Sequence, residues 1–152
     1  VSDVTRRRRA RRKGREPGEG ERIRAAFGVA LPATVLFGGL AYLAGALGWT
    51  ELVPSDLIRH LAPAGTPSWA RAIGGLAAVY GLLSAYALLY AFTLARVRAF
   101  WPGLIGGAIL WAAFVGLGYP DVNTRVVTLS LFVLASLMIG ASLVHAFSNP
   151  RW

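Results

Sequence analysis

The sequence predicts an all-α polytopic membrane protein: four transmembrane helices in an antiparallel bundle, with a short interfacial helix in the first outer loop. Three observations carry this. Of 152 residues, 55% are hydrophobic and only 15% charged, a balance far more apolar than that of a soluble domain of similar length. Apolar runs of roughly 20 residues, enough at about 1.5 Å per residue to cross the hydrocarbon layer, recur between short polar segments. The basic residues are gathered at one end of the chain, ahead of the first apolar run.

Residues 1–24 hold almost no large apolar side chain and include the Gly14-Arg15-Glu16-Pro17-Gly18-Glu19-Gly20 stretch, so they read as a basic, flexible cytoplasmic tail. Residues 25–152 then form the transmembrane domain. The first span covers about 25–48, which contains no charge; Pro32 either bends it or sits in its first turns. The loop that follows carries Ser55-Asp56-Leu57-Ile58-Arg59-His60-Leu61. On a helical turn or two, Leu57, Ile58 and Leu61 share a side, so this segment is expected to lie flat at the outer interface.

The second span covers about 67–95, with Thr66 as N-cap, Pro67 in the first helical position and Trp69 at interface depth. The third, about 102–118, lies between Phe100-Trp101-Pro102-Gly103 and Gly118-Tyr119-Pro120 and is just long enough to cross with little tilt. The fourth, about 124–147, follows Asp121-Val122-Asn123-Thr124, side chains suited to the free N–H groups of a helix start. Short turns at 96–101 and 119–123 make spans two, three and four sequential antiparallel neighbours.

Orientation follows from the basic residues, which resist translocation. The tail, Arg96 and Arg98 of the second turn, and Arg151 fall on one side; Arg59, Arg71 and Arg125 fall on the other. The expectation is a multi-pass protein of the cell (cytoplasmic) membrane with both termini cytoplasmic. A signal peptide is not expected, because the first apolar run is too long and lacks a small-residue cleavage pattern.

Helices in lipid associate through small residues and occasional hydrogen bonds. Gly38, Ala41, Gly45 and Gly48 in span one, Gly74, Ala78, Gly81 and Ala85 in span two, Gly103 and Gly107 in span three, and Ser136 and Gly140 in span four are the expected packing positions. Of these, Gly38, Gly45, Gly74, Ala78, Gly81, Gly103, Gly107 and Gly140 are taken as the helix-packing set, with grooves inside one bundle favoured over a dedicated dimer face.

Three motifs occur in order: Trp49-Thr50-Glu51-Leu52-Val53-Pro54, then Phe100-Trp101-Pro102-Gly103 with Leu110-Trp111, then Asp121-Val122-Asn123-Thr124 leading to Leu131-Phe132 and Gly140. Together they resemble the YqhR-type conserved membrane proteins of endospore-forming Firmicutes, over about residues 36–144. The resemblance implies a small four-helix membrane protein without an established activity, substrate or cofactor. The arginine-rich tail and His145 lie outside the matching motifs.

The absence of cysteine excludes disulfides, thiol redox chemistry and Cys-based metal sites. No Asp, Glu, Lys or Arg lies in the central part of a span, which argues against a proton- or ion-coupled transporter. Ser84, Tyr80, Tyr86, Tyr90, Thr93, Ser130 and Ser136 are the polar side chains that a pore would use, although interhelical hydrogen bonding explains them more simply. Glu51, Asp121, Asn123, Thr124 and Arg125 form a candidate outer-face site for a partner or ligand, with helix capping as the competing explanation. Arg6, Arg7, Arg8, Arg9, Arg11, Arg12 and Lys13 are candidate contacts for anionic lipid headgroups, with nucleic acid an unlikely partner. His145 with Ala141 has a spacing seen in pigment-binding helices, but nothing else supports ligation, and His60 with Asp56 is too sparse for a metal. No catalytic, cofactor or metal residue is therefore assigned.

With no nucleophile–base pair or acidic dyad in view, the chain reads as non-enzymatic. The leading expectation is an accessory or scaffold subunit acting through helix–helix or outer-face association. The alternative is a small-molecule transporter or channel, built as a homodimer.

Overall fold

The computed structural model describes residues 18–59, 63–93, 101–114 and 121–148. Among them lie four α-helices, α1 (Glu19–Ala46), α2 (Ser68–Thr93), α3 (Trp101–Phe114) and α4 (Val122–Ser148), and one 3-10 helix, Pro54–Ile58, between α1 and α2. The helices α1, α2 and α4 are each long and apolar enough to cross a membrane; α3 is apolar but shorter. The chain is thus an all-helical protein with membrane-spanning character.

The first helix begins at Glu19, ahead of the expected Ala25, so residues 19–24 are helical. Capping explains the early start. The Gly18 N–H donates to Glu21 Oε2 at 3.1 Å, and Glu19 and Glu21 place negative charge at the positive end of the helix dipole. Pro32 consequently sits well inside α1, on its exposed side. The C-terminus closes on Gly48, whose φ of 71° is the left-handed conformation glycine adopts without steric cost. There the Trp49 N–H reaches back to the Ala44 carbonyl at 2.9 Å and the Gly48 N–H to that of Gly45 at 3.0 Å, as at many glycine-terminated helices.

The start of α2 differs from expectation in one detail. The helix begins at Ser68, so Pro67 takes the capping position expected of Thr66, and the Thr66 hydroxyl donates to the Pro63 carbonyl at 2.7 Å in the preceding turn. The expected interfacial helix is a 3-10 turn whose apolar side chains pack against the bundle: Ile58 meets α2 at Gly74, and Leu57 lies with Phe37 and Ala41 of α1. Its N-terminus is closed by Asp56, whose Oδ2 accepts the Val53 N–H at 3.0 Å. His60 and Leu61 lie outside the described residues.

The core forms where three apolar faces meet. From α1 it takes Ala26, Ala30, Ala33, Phe37 and Ala41, a run of mostly small side chains at helical spacing that lets neighbouring backbones approach. Val79, Leu83, Tyr86, Ala87 and Tyr90 come from α2, and Leu131, Phe132, Ala135, Ile139 and Leu143 from α4. Phe37 and Phe132 meet edge to face with ring centroids 5.0 Å apart, a favoured aromatic geometry. Large apolar side chains such as Leu31, Val35, Ile73, Leu89, Ile109 and Val126 point outward, as lipid-facing positions do.

The glycines show how closely the helices approach. A Cβ at Gly107 would lie 2.7 Å from Val133 Cα, and one at Gly103 would lie 2.8 Å from the Ser136 carbonyl oxygen, so α3 rests directly on the α4 backbone. Gly38 accommodates Leu76, Gly45 accommodates Val53, Gly74 accommodates Ile58, and Gly140 lies against the Tyr90 hydroxyl. Ala78 and Gly81 depart from the expected packing set: both are exposed, and nothing stands within 4 Å of a Cβ at Gly81. The α2 face that turns inward carries Gly75 instead, where a side chain would collide with the Pro54 carbonyl. Gly106 likewise makes room for the Tyr86 ring.

Candidate functional site

At the end of the bundle that holds the 3-10 helix, two segments far apart in sequence are joined. The Glu51 backbone N–H donates to Thr124 Oγ1 at 3.0 Å, linking the loop after α1 to the first turn of α4. Thr124 is fully buried, and its own N–H donates to Asp121 Oδ2 at 2.7 Å. That bond makes Asp121 the cap of α4 and holds its carboxyl below the usual carboxylate range, chiefly because the Thr124 N–H favours the charged form.

The network continues one turn further. The Thr128 hydroxyl donates to the Thr124 carbonyl at 2.6 Å and accepts the Trp111 Nε1–H at 3.1 Å, which ties α3 to α4. Trp111, Thr128, Thr124, Asp121 and the Glu51 backbone therefore form one connected set. Thr50 stiffens the loop side, its Oγ1 accepting the Leu52 N–H at 3.1 Å.

The five expected site residues divide between two roles. Thr124 and Asp121 are occupied in holding the corner together. The Glu51 and Asn123 side chains are exposed beside them, and Arg125 is half-buried, with its N–H donating to the Asp121 carbonyl at 3.2 Å. Glu51 meets Thr124 through its backbone, which leaves the carboxylate free of that bond. Thr128 and Trp111 were not among the expected site residues. The four-residue step from Thr124 to Thr128 is the signal that points to the former, since a threonine hydroxyl reaches the carbonyl four residues back.

The polar side chains considered for a pore do not share one path. Thr93 Oγ1 donates to the Leu89 carbonyl and Ser130 Oγ to the Val126 carbonyl, and both residues face outward. Tyr80 packs beside Phe27, with ring centroids 6.4 Å apart. Ser84, Tyr86 and Ser136 are buried, and their hydroxyls make no hydrogen bond among the described residues. A cavity of about 20 Å³ beneath the 3-10 helix is lined by Phe37, Ala41, Leu52, Leu57, Phe132 and Thr128, among others, and is almost wholly apolar.

His145 and Ala141 are exposed on α4, and no group of three or more His, Asp or Glu side chains placed to hold a metal occurs among the described residues. Arg6, Arg7, Arg8, Arg9, Arg11, Arg12 and Lys13, like Arg96, Arg98 and Arg151, lie outside the described residues. No family model, no curated protein and no solved structure matches this chain.

Proposed function

We propose that the chain is a non-enzymatic, four-span protein of the cell membrane, an accessory or scaffold subunit that presents a braced polar corner to a partner protein. The observation that carries this reading is the bond from the Glu51 N–H to Thr124 Oγ1, which joins the loop after α1 to the first turn of α4 while leaving the Glu51 and Asn123 side chains exposed. A corner braced in this way binds without the entropic cost of ordering a loop.

In this reading the helices alternate in direction. Support comes from the pairing of Gly103 with Ser136, Gly107 with Val133 and Trp111 with Thr128, in reverse order along α3 and α4, and from Arg22 over Phe92 with Gly38 against Leu76 along α1 and α2. At about 1.5 Å per residue, the described part of α3 supplies about 21 Å of a hydrocarbon layer of about 30 Å. The basic tail and Arg96 and Arg98 support cytoplasmic termini, with Arg6 to Lys13 adhering to anionic headgroups. Kinship with the YqhR-type proteins is proposed on motif order alone and adds no activity. The transporter alternative has less to support it, because the cavity beneath the loop is small and apolar and Thr93 and Ser130, two of the candidate pore residues, face outward.

The test is co-purification in mild detergent from native membranes, comparing wild type with Glu51→Ala/Asn123→Ala. A stable partner that the double variant loses, with the helical content of the protein intact, supports the corner as an interface. Recovery of the same complex by the variant removes it.

A further inference from the structure

Arg71 stands in the first turn of α2, where the uncharged stretch of that helix begins. It is half-buried, and its Nε is enclosed without any acceptor among the described residues. Three and four residues later, Gly74 and Gly75 press against Ile58 and the Pro54 carbonyl. Residues at those spacings share a helix face, so Arg71 looks toward the 3-10 helix, at whose C-terminal end Arg59 is exposed. The acid on that element is engaged: Asp56 Oδ2 accepts the Val53 N–H at 3.0 Å. No acid among the described residues pairs with this guanidinium, and an anion from outside the protein would offset the cost of enclosing its Nε.

The surroundings identify that anion. Trp69, two residues before Arg71, is largely exposed, as an aromatic residue at headgroup depth is. The first turn of a helix adds free N–H groups and positive dipole potential. A planar guanidinium matches phosphate oxygens in bidentate fashion, and at this depth the phosphate layer of the bilayer is the adjacent source. We propose that Arg71 is a binding site for the phosphodiester group of a membrane lipid, seated between the first turn of α2 and the 3-10 helix.

The full chain, purified in mild nonionic detergent, is titrated with phosphatidylcholine, with diacylglycerol of the same acyl chains, and with millimolar inorganic phosphate, while thermal unfolding is followed. Phosphatidylcholine carries no net charge, which keeps the basic tail from dominating the signal. Wild type is expected to gain stability with the phospholipid and far less with diacylglycerol. Arg71→Gln should bind about tenfold more weakly, the loss of a charge-assisted bond, with Arg71→Lys in between because it keeps the charge but not the planar fork. Should the Gln variant not fold, weaker binding by the Lys variant carries the same conclusion. Equal stabilisation by diacylglycerol, wild-type affinity in both Arg71 variants, or a full effect from inorganic phosphate alone would overturn the assignment.

Discussion

Thr124→Val is the sharpest probe of the braced corner. Valine keeps the shape of a side chain that is fully buried, so packing is nearly preserved while the hydroxyl is lost. What disappears is the acceptor for the Glu51 N–H, now 3.0 Å away. Leaving a donor unsatisfied costs about 1–3 kcal/mol in protein interiors, whereas hydrogen bonds within membrane bundles average nearer 0.6 kcal/mol. The bond is part-buried at the bundle rim, which places the expected loss at about 1–2 kcal/mol, or about 5- to 30-fold in the local opening equilibrium. Amide hydrogen exchange in detergent or bicelles reads this directly: the Glu51 amide should exchange faster by that factor in the valine variant. Thr124→Ser keeps the acceptor and should leave Glu51 protected, although a lost buried methyl group lowers overall stability by about 0.8 kcal/mol. If the valine variant protects Glu51 as well as wild type, or the serine variant exposes it equally, the bond does not brace the corner.

Trp111→Phe removes the indole donor to Thr128 and should cost about 0.6–1.7 kcal/mol by reversible unfolding in mixed micelles, with little further loss when combined with Thr128→Val. Gly107→Ala drives a methyl group into the α4 backbone and should destabilise by about 1–3 kcal/mol, while Gly81→Ala, with open space at its Cβ, should be neutral or stabilise by up to about 1 kcal/mol. The depressed Asp121 pKa gives stability that is fully present above the ordinary carboxylate value of about 3.9 and is lost as pH falls through the lower folded-state value. An Asp121→Asn variant should accordingly show a flatter stability profile over that acidic range. Ser84→Ala removes a buried hydroxyl that has no partner among the described residues and should be neutral or mildly stabilising in the same unfolding assay.

The helices were legible because uncharged runs and lipid thickness share a length scale, and α1, α2 and α4 follow that scale. The start of α1 was hidden because Glu19, Glu21 and the arginines around them look like tail residues by composition, whereas the Gly18–Glu21 bond and the dipole make them a helix start. The small-residue positions were only partly legible. Gly74, Ala78, Gly81 and Ala85 follow a helical stripe, but helix propensity cannot say which side of α2 meets a neighbour. The inward side is the one holding Gly75, and Gly106 opposite Tyr86 belonged to no stripe at all. In the corner, Thr124 and Asp121 were recognisable as capping types. That a backbone N–H 73 residues earlier in the chain would use the Thr124 hydroxyl depends on the packing of α1 against α4, which no local pattern encodes.

The two kinds of contact do different work. Glycine notches such as Gly103 and Gly107 set distance: they let α3 lie on the α4 backbone, but a smooth contact of small residues resists sliding only weakly. Hydrogen bonds set register. Trp111 to Thr128 allows one axial position of α3, and Glu51 to Thr124 allows one position of the loop after α1. Both bonds lie toward the same end of α4, four residues apart at Thr124 and Thr128, so the bundle is pinned at the end that carries Glu51 and Asn123. Midway along the bundle, by contrast, the buried Tyr86 and Ser136 hydroxyls make no hydrogen bond among the described residues. Rigidity is thus concentrated beneath the exposed polar side chains, where a partner would gain most from a surface that does not rearrange on binding.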